Sequence, residues 1–254
     1  MDRRAFIRLG AGSVAVTMLP LGGCSTSAPL PDIENSAGPT IVTSDGTRFE
    51  TRPNAHAVLV SDQRVGKQGA LPGQFNYPVA IATLGGLAYV VDTGNHRIQV
   101  LDKTGATVAS FGETELLYPG GITVTSDREL VVADSRNGRL VVFNEAGDVT
   151  RTLGEGTLSA PRGLAARGGN VIVADPGLRE VVEIDRRGAI VRRFGADWVL
   201  PYGVAATDDF IFVADAAAID LVVLDRSGRP HDTIALERAP TFVSLGADGI
   251  VYVS

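Results

Sequence analysis

Residues 78–112 read PVAIATLGGLAYVVDTGNHRIQVLDKTGATVASFG, and this stretch decides the fold. One apolar run follows Pro78 and breaks at Gly85-Gly86; a second ends on Asp92; a third, RIQVLD, follows; the last closes on Phe111-Gly112. Short apolar and β-branched runs bounded by glycine and acidic turns read as strands. The unit recurs outward from here. Pro78, Pro119, Pro161, Pro201 and Pro240 open successive copies at spacings of 41, 42, 40 and 39 residues. The second strand of each complete copy ends on an aspartate: Asp92, Asp134, Asp175 and Asp215. One such unit cannot bury its own apolar faces, so the copies must pack on each other. Four short strands at a forty-residue period predict an all-β fold, the blades of a β-propeller.

GQFNYPVAIA, YVVDTGNHRIQVLDKTG and VASFG together resemble the NHL repeat, with Asn95 and His96 at the positions that name it. The second copy keeps Asn137 and Arg139, whereas the third and fourth read DPGLRE and DAAAID there. The resemblance covers about residues 73–254. It implies four-stranded NHL-type blades, six in number by the family's TolB-like habit, against five by direct count. It also implies functions as varied as protein or RNA binding, extracellular sensing, and in a few members lyase or lactonase activity. The last copy, from Pro240, stops at Ser254 with strands missing, and an open sheet edge is unfavourable. The segment from Thr40 to Gln68 is expected to supply them, so that N- and C-terminal strands share one blade and close the ring.

The N-terminus carries a separate message. Arg3-Arg4-Ala5-Phe6 resembles a twin-arginine export motif, with Arg3, Arg4 and Phe6 as its matching residues. The apolar stretch from Leu9 to Leu21 is too short to remain as a membrane span. Leu21-Gly22-Gly23-Cys24 resembles a lipobox, which makes Cys24 the expected lipid attachment site. Residues 1–23 are therefore expected to be a signal peptide. Residues 24–39 form a flexible, lipid-anchored linker, and residues 40–254 the propeller. The expected location is the periplasmic face of the cell envelope, and Ser25 after the cysteine favours the outer membrane. Cys24 is the single cysteine, so no disulfide is available to hold the fold.

The chain carries 23 basic and 29 acidic side chains, a net charge of −6. No Lys/Arg run is present, which argues against nucleic acid as a partner, since binding phosphates needs a basic face.

The recurring aspartates can each accept backbone N–H groups of the following turn, a structural role; a metal-binding ring is the minor alternative. His56, His96 and His231 show no spacing that would converge on zinc. Asp209 and Asn170 are isolated as calcium-site candidates. No Ser-His-Asp pattern, nucleophile elbow or phosphate loop is present, and no catalytic residue, metal or cofactor is assigned. The loops leading into the innermost strands are the better surface. They carry Tyr77, Tyr118, Arg162, Trp198 and Tyr202, a composition typical of interfaces; filling gaps between blades is the other role open to these aromatics. The expected function is a non-enzymatic scaffold for a protein or peptide partner. The alternatives are a metal-dependent lyase or lactonase-like hydrolase, and a sensor or accessory subunit of an exported complex.

Overall fold

The computed structural model describes residues 6–10, 13–17, 33–35, 40–195, 197–247 and 251–254. They form six sheets, and among the described residues the only helical elements are three short 3-10 turns. Five sheets are four-stranded, antiparallel and consecutive in the chain. Blade I holds Thr40–Val42, Arg48–Arg52, Ala57–Val60 and Gln63–Val65. Blade II holds Pro78–Leu84, Leu87–Asp92, Arg97–Leu101 and Thr107–Phe111; blade III holds Ile122–Val124, Leu130–Asp134, Arg139–Phe143 and Val149–Leu153. Blade IV runs Gly163–Arg167, Asn170–Asp175, Glu180–Ile184 and Ile190–Phe194; blade V runs Pro201–Ala206, Phe210–Asp215, Asp220–Asp225 and Pro230–Ala235. The innermost strand of each blade adjoins that of the next, and the ring closes where Val243–Leu245 of blade VI meets Thr40–Val42 of blade I. The molecule is an all-β propeller.

The blade count departs from the direct reading of the sequence. Residues 40–65 lend no strands to the last copy; they make a complete blade of their own. TRPNAHAVLV (51–60) stands 40 residues before VDTGNHRIQV (91–100), and both segments fold alike. His56 and His96 each cap a 3-10 turn in the left-handed conformation, at φ 49° and 57°. The strand that joins the C-terminal pair is Ile33–Asn35, paired parallel with Val251–Val253. Ser13–Thr17 and Phe6–Gly10 extend that sheet further. N- and C-terminal strands thus do share a blade, but they come from upstream of Thr40. Arg3, Arg4 and Cys24 lie outside the described residues.

Each complete copy from blade II to blade V repeats one device. The pairing of the third and fourth strands shifts by a residue at Val100/Leu101, Val142/Phe143, Glu183/Ile184 and Val223/Leu224. An Asp or Asn then folds the turn. Asp102, Asn144, Asp185 and Asp225 accept the backbone N–H groups two and four residues on. A bulge followed by such a turn strengthens the twist and fixes register, so the outer strands of every blade splay alike.

Alternation along the strands presents apolar residues to both neighbouring blades. Five apolar clusters result, one at each seam from I–II to V–VI. Phe49, Phe143 and Phe212 are fully buried in them, and truncating such a side chain to alanine costs about 3–5 kcal/mol. The seam between blades VI and I differs. Phe49 faces blade II, so Arg48, Glu50 and Arg52 turn the other way, and the Arg48 guanidinium lies 5.6 Å from the centre of the Tyr252 ring. Ser244 donates its hydroxyl to the Thr40 carbonyl across this seam, and Ala247 N–H donates to Val42 O at 3.0 Å.

Candidate binding face at one mouth of the propeller

Register places the site. Pro78 pairs with Asp92, so the start of an inner strand lies beside the end of the second strand and the turn after it. The proline-bearing loops and these turns therefore share one mouth of the channel. Four buried aspartates anchor that mouth. Asp92 accepts Asn76 N–H at 2.6 Å with one oxygen and the side chains of Asn95, Arg97 and Gln99 with the other. Asp134 accepts Leu117 N–H at 2.7 Å, together with Asn137 and Arg139. Asp175 accepts four backbone N–H groups, from Ser159, Ala160, Gly177 and Leu178, and no side chain. Asp215 accepts those of Val199 and Leu200 at 2.9 and 2.8 Å. Each carboxylate ties its own turn to the loop leading into its own blade. A buried anion is tolerable because charge-assisted hydrogen bonds surround it.

Neighbouring blades are tied at the same mouth. The Thr93 and Ser135 hydroxyls donate to the carbonyls of Pro119 and Pro161 in the next blade, at 2.8 and 2.6 Å. His56 Nδ1 accepts Tyr77 N–H at 3.1 Å, and His96 Nδ1 accepts Tyr118 N–H at 3.0 Å. Both tyrosines hold a left-handed backbone, at φ 58° and 49°, which projects their side chains from the mouth.

The five residues singled out from the sequence separate into two groups. Tyr77 and Tyr118 are 47% and 43% exposed. Arg162 and Tyr202 are half-buried, with the guanidinium 5.4 Å from the centre of the tyrosine ring. Trp198 does not line the mouth. It is 7% exposed, packs with Phe194 in the seam between blades IV and V, and donates its indole N–H to Phe194 O at 2.8 Å. The apolar ring is held inward because its one polar atom is satisfied there. Arg136 takes a place on the surface instead, its guanidinium 4.9 Å from the centre of the Tyr118 ring. The His96 ring meets the other side of this cluster edge-on, centroid to centroid 4.6 Å from Tyr118. Arg136 and the two histidine clasps escaped the sequence reading, although the 40-residue interval from His56 to His96 was a usable signal.

Exposed apolar side chains concentrate here. Of ten exposed large hydrophobic residues among those described, seven (Leu71, Tyr77, Leu117, Tyr118, Leu178, Val199 and Ile219) sit in these loops and turns. The other three, Val108, Val149 and Val191, sit on outermost strands. The opposite mouth is polar and paired with itself, through Arg128–Glu145 at 2.6 Å and Arg186–Asp127 at 2.6 Å. Asn170 and Asp209 lie on that opposite side; Asn170 donates to Glu183. The channel between the mouths has a volume of about 220 Å³ and is lined largely by Ile81, Ile122, Leu164, Val204 and Phe242.

The three histidines are on different blades. His56 and His96 each use one ring nitrogen as an acceptor, and His231 is on the outermost strand of blade V, 5.1 Å from the Phe210 ring. Among the described residues no three His, Cys, Asp or Glu side chains group as metal ligands.

The profile of the NHL repeat matches residues 75–101 and 116–143. Two blades, II and III, carry NHL repeats. Over 67 residues the chain is 39% identical to the protein Brain tumor of Drosophila melanogaster, a match spanning 24% of this chain and 6% of that protein. Solved structures resemble the whole ring. A streptogramin B lyase superposes with a TM-score of 0.68 at 17% identity, covering 98% of this chain and 89% of that one. Virginiamycin B lyase from Staphylococcus aureus gives 0.66 at 19% identity, covering 94% and 88%. Hydrazine synthase of Kuenenia stuttgartiensis gives 0.60 at 14%, covering 91% and 94%. At such identities the likeness is one of fold, and the NHL-type propeller alone is common ground.

Proposed function

We propose that this NHL-type propeller is an exported, lipid-anchored binding protein that holds a protein or peptide partner on its proline-side mouth and catalyses no reaction. One observation carries the reading: exposed apolar and aromatic side chains gather on this mouth while the other mouth is polar and paired with itself. Contiguous exposed apolar surface marks interaction sites, and Tyr and Arg dominate such contacts. The aspartate, histidine and hydroxyl ties beneath hold the loops in place, so the surface is preorganised for a partner.

Export and anchoring rest on the motif around Arg3, Arg4 and Phe6 and on Cys24. Cleavage before Cys24 would remove the strands Phe6–Gly10 and Ser13–Thr17 from blade VI and leave Ile33–Asn35 with the C-terminal pair. The lyase alternative has the overall fold in its favour; against it stands the distribution of the three histidines over three blades.

The reading is tested by photo-crosslinking in cells. A photoreactive phenylalanine analogue is placed at Tyr77 or Tyr118, and at Asp209 on the opposite mouth as control. A discrete adduct from the two tyrosine positions and none from Asp209 is expected. Equal adducts from both mouths would refute it, and so would turnover of a small cyclic depsipeptide by the purified protein.

A further inference from the structure

The charge on the proline-side mouth is one-signed. In the turns after the second strands and within two residues of the five prolines, the exposed or half-buried charged side chains are Arg136, Arg162, Arg179 and Arg238. Among the described residues no exposed carboxylate joins them. Composition does not produce this, because acidic residues outnumber basic ones in the chain. The aspartates of the mouth are buried and saturated with donors, so they offer a ligand nothing.

Two of these arginines are set in a particular way. Arg136 lies against Tyr118 and Arg162 against Tyr202, and neither forms an ion pair among the described residues. A guanidinium held over an aromatic ring keeps the donors along its edge free for a carboxylate. Gly120 lies between the two pairs. A Cβ there would stand 2.5 Å from the Ser135 hydroxyl and 2.9 Å from Arg162 Cδ, so only glycine lets the Ser135–Arg136 turn and Arg162 approach so closely.

We infer that the Tyr118–Arg136 and Arg162–Tyr202 pairs recognise an acidic linear peptide, its carboxylates on the two guanidinium groups and its apolar side chains on the tyrosines and Leu117. The inference rests on the reading of this mouth as a peptide-holding face and adds the chemistry of the partner. The net charge of −6 for the whole chain disfavours a polyphosphate ligand of any length, whereas two local cations suffice for an acidic peptide segment.

The test measures fluorescence anisotropy of the full chain with three labelled probes: a glutamate–tyrosine random copolymer, a lysine–tyrosine copolymer and an oligouridylate. The glutamate–tyrosine probe is expected to bind best, and more weakly as salt rises. The double variant Arg136→Ala/Arg162→Ala is expected to weaken it by roughly tenfold, with an unchanged melting temperature as the check on folding. Arg136→Lys/Arg162→Lys should fall between, since charge survives and the planar fork does not. Equal binding of the lysine–tyrosine probe, lost in Tyr118→Ala, would overturn the acidic partner and leave the peptide face standing. Tighter binding of the oligouridylate would overturn it in favour of nucleic acid. No binding of any probe, with Tyr118→Ala indistinguishable from wild type, would bring down both readings.

Discussion

The Nδ1 atom of His96 in blade II accepts the backbone N–H of Tyr118 in the loop leading into blade III, at 3.0 Å. This bond holds a tyrosine in the left-handed region, where a bulky side chain is costly, and projects it from the mouth. His96 is itself left-handed, so replacing it separates two effects. His96→Ala removes the acceptor and keeps the backbone strain, and is expected to cost about 1–2 kcal/mol. His96→Gly removes the acceptor but relieves the strain, as Gly138 does at the same place in blade III. It should cost less. Urea denaturation of both variants checks the order, and a larger loss for glycine would show that the hydrogen bond is not the main term.

The buried aspartates look interchangeable in sequence and are not. Asp92 faces Arg97, whose side chain is 7% exposed, at 2.9 Å. Asp92→Ala leaves that guanidinium buried without its carboxylate, which costs about 3–5 kcal/mol. Asp175 takes only backbone N–H groups. Its alanine variant loses neutral hydrogen bonds, at about 1–3 kcal/mol. Guanidinium denaturation should therefore rank Asp92→Ala below Asp175→Ala in stability. The reverse order would mean that the arginine finds water or another partner.

Much of this was legible in the chain. The proline and aspartate intervals set the blades and their register, because a forty-residue period leaves four-stranded sheets few other ways to bury both faces. Blade I was hidden because Arg52 stands where the aspartates do and no proline opens it, so its recurrence survives only in His56 and the strands around it. Trp198 was misplaced because sequence proximity to Pro201 says nothing about which side of the loop a ring enters; the free Phe194 carbonyl decides that. Arg136 was missed because its partner, Tyr118, is in a different blade, and a contact between blades leaves no spacing to read.

Lipid attachment at Cys24 has a direct test. Cells producing the wild-type chain and grown with labelled palmitate should yield a labelled protein. Cys24→Ala should abolish the label and release the protein from membranes, since two or more acyl chains are what makes anchoring durable. Arg3→Lys/Arg4→Lys should leave the precursor uncut inside the cell. Palmitate label persisting in Cys24→Ala would refute the assignment.

The seam between blades VI and I responds to pH with a sign opposite to that of most acidic groups here. Glu50 is 3% exposed between Arg48 and Arg52, on the face that meets Tyr252. Burial raises its carboxyl above the ordinary 4.5; Arg52 and Arg48 lower it only in part, and Asp62 adds to the rise. A folded value above the unfolded one means the folded state holds the proton more tightly. The stabilising contribution is then complete below about 4.5 and is lost as pH rises through the folded value. Asp102 and Asp225 behave the other way. The hydroxyls of Thr104 and Ser227, followed by turn N–H groups, hold them low, so their contribution persists until pH falls through those lowered values. They act equally in wild type and in a Glu50 variant and cancel in the comparison. Glu50→Gln keeps the shape and removes the cost of a buried anion, so near neutral pH it should melt about 2 °C higher than wild type. The gap should close as the wild-type carboxyl takes up its proton on acidification. A lower melting temperature for Glu50→Gln at neutral pH would show that the pairing with Arg48 and Arg52 outweighs the burial, and that the last seam of the ring is held by charge.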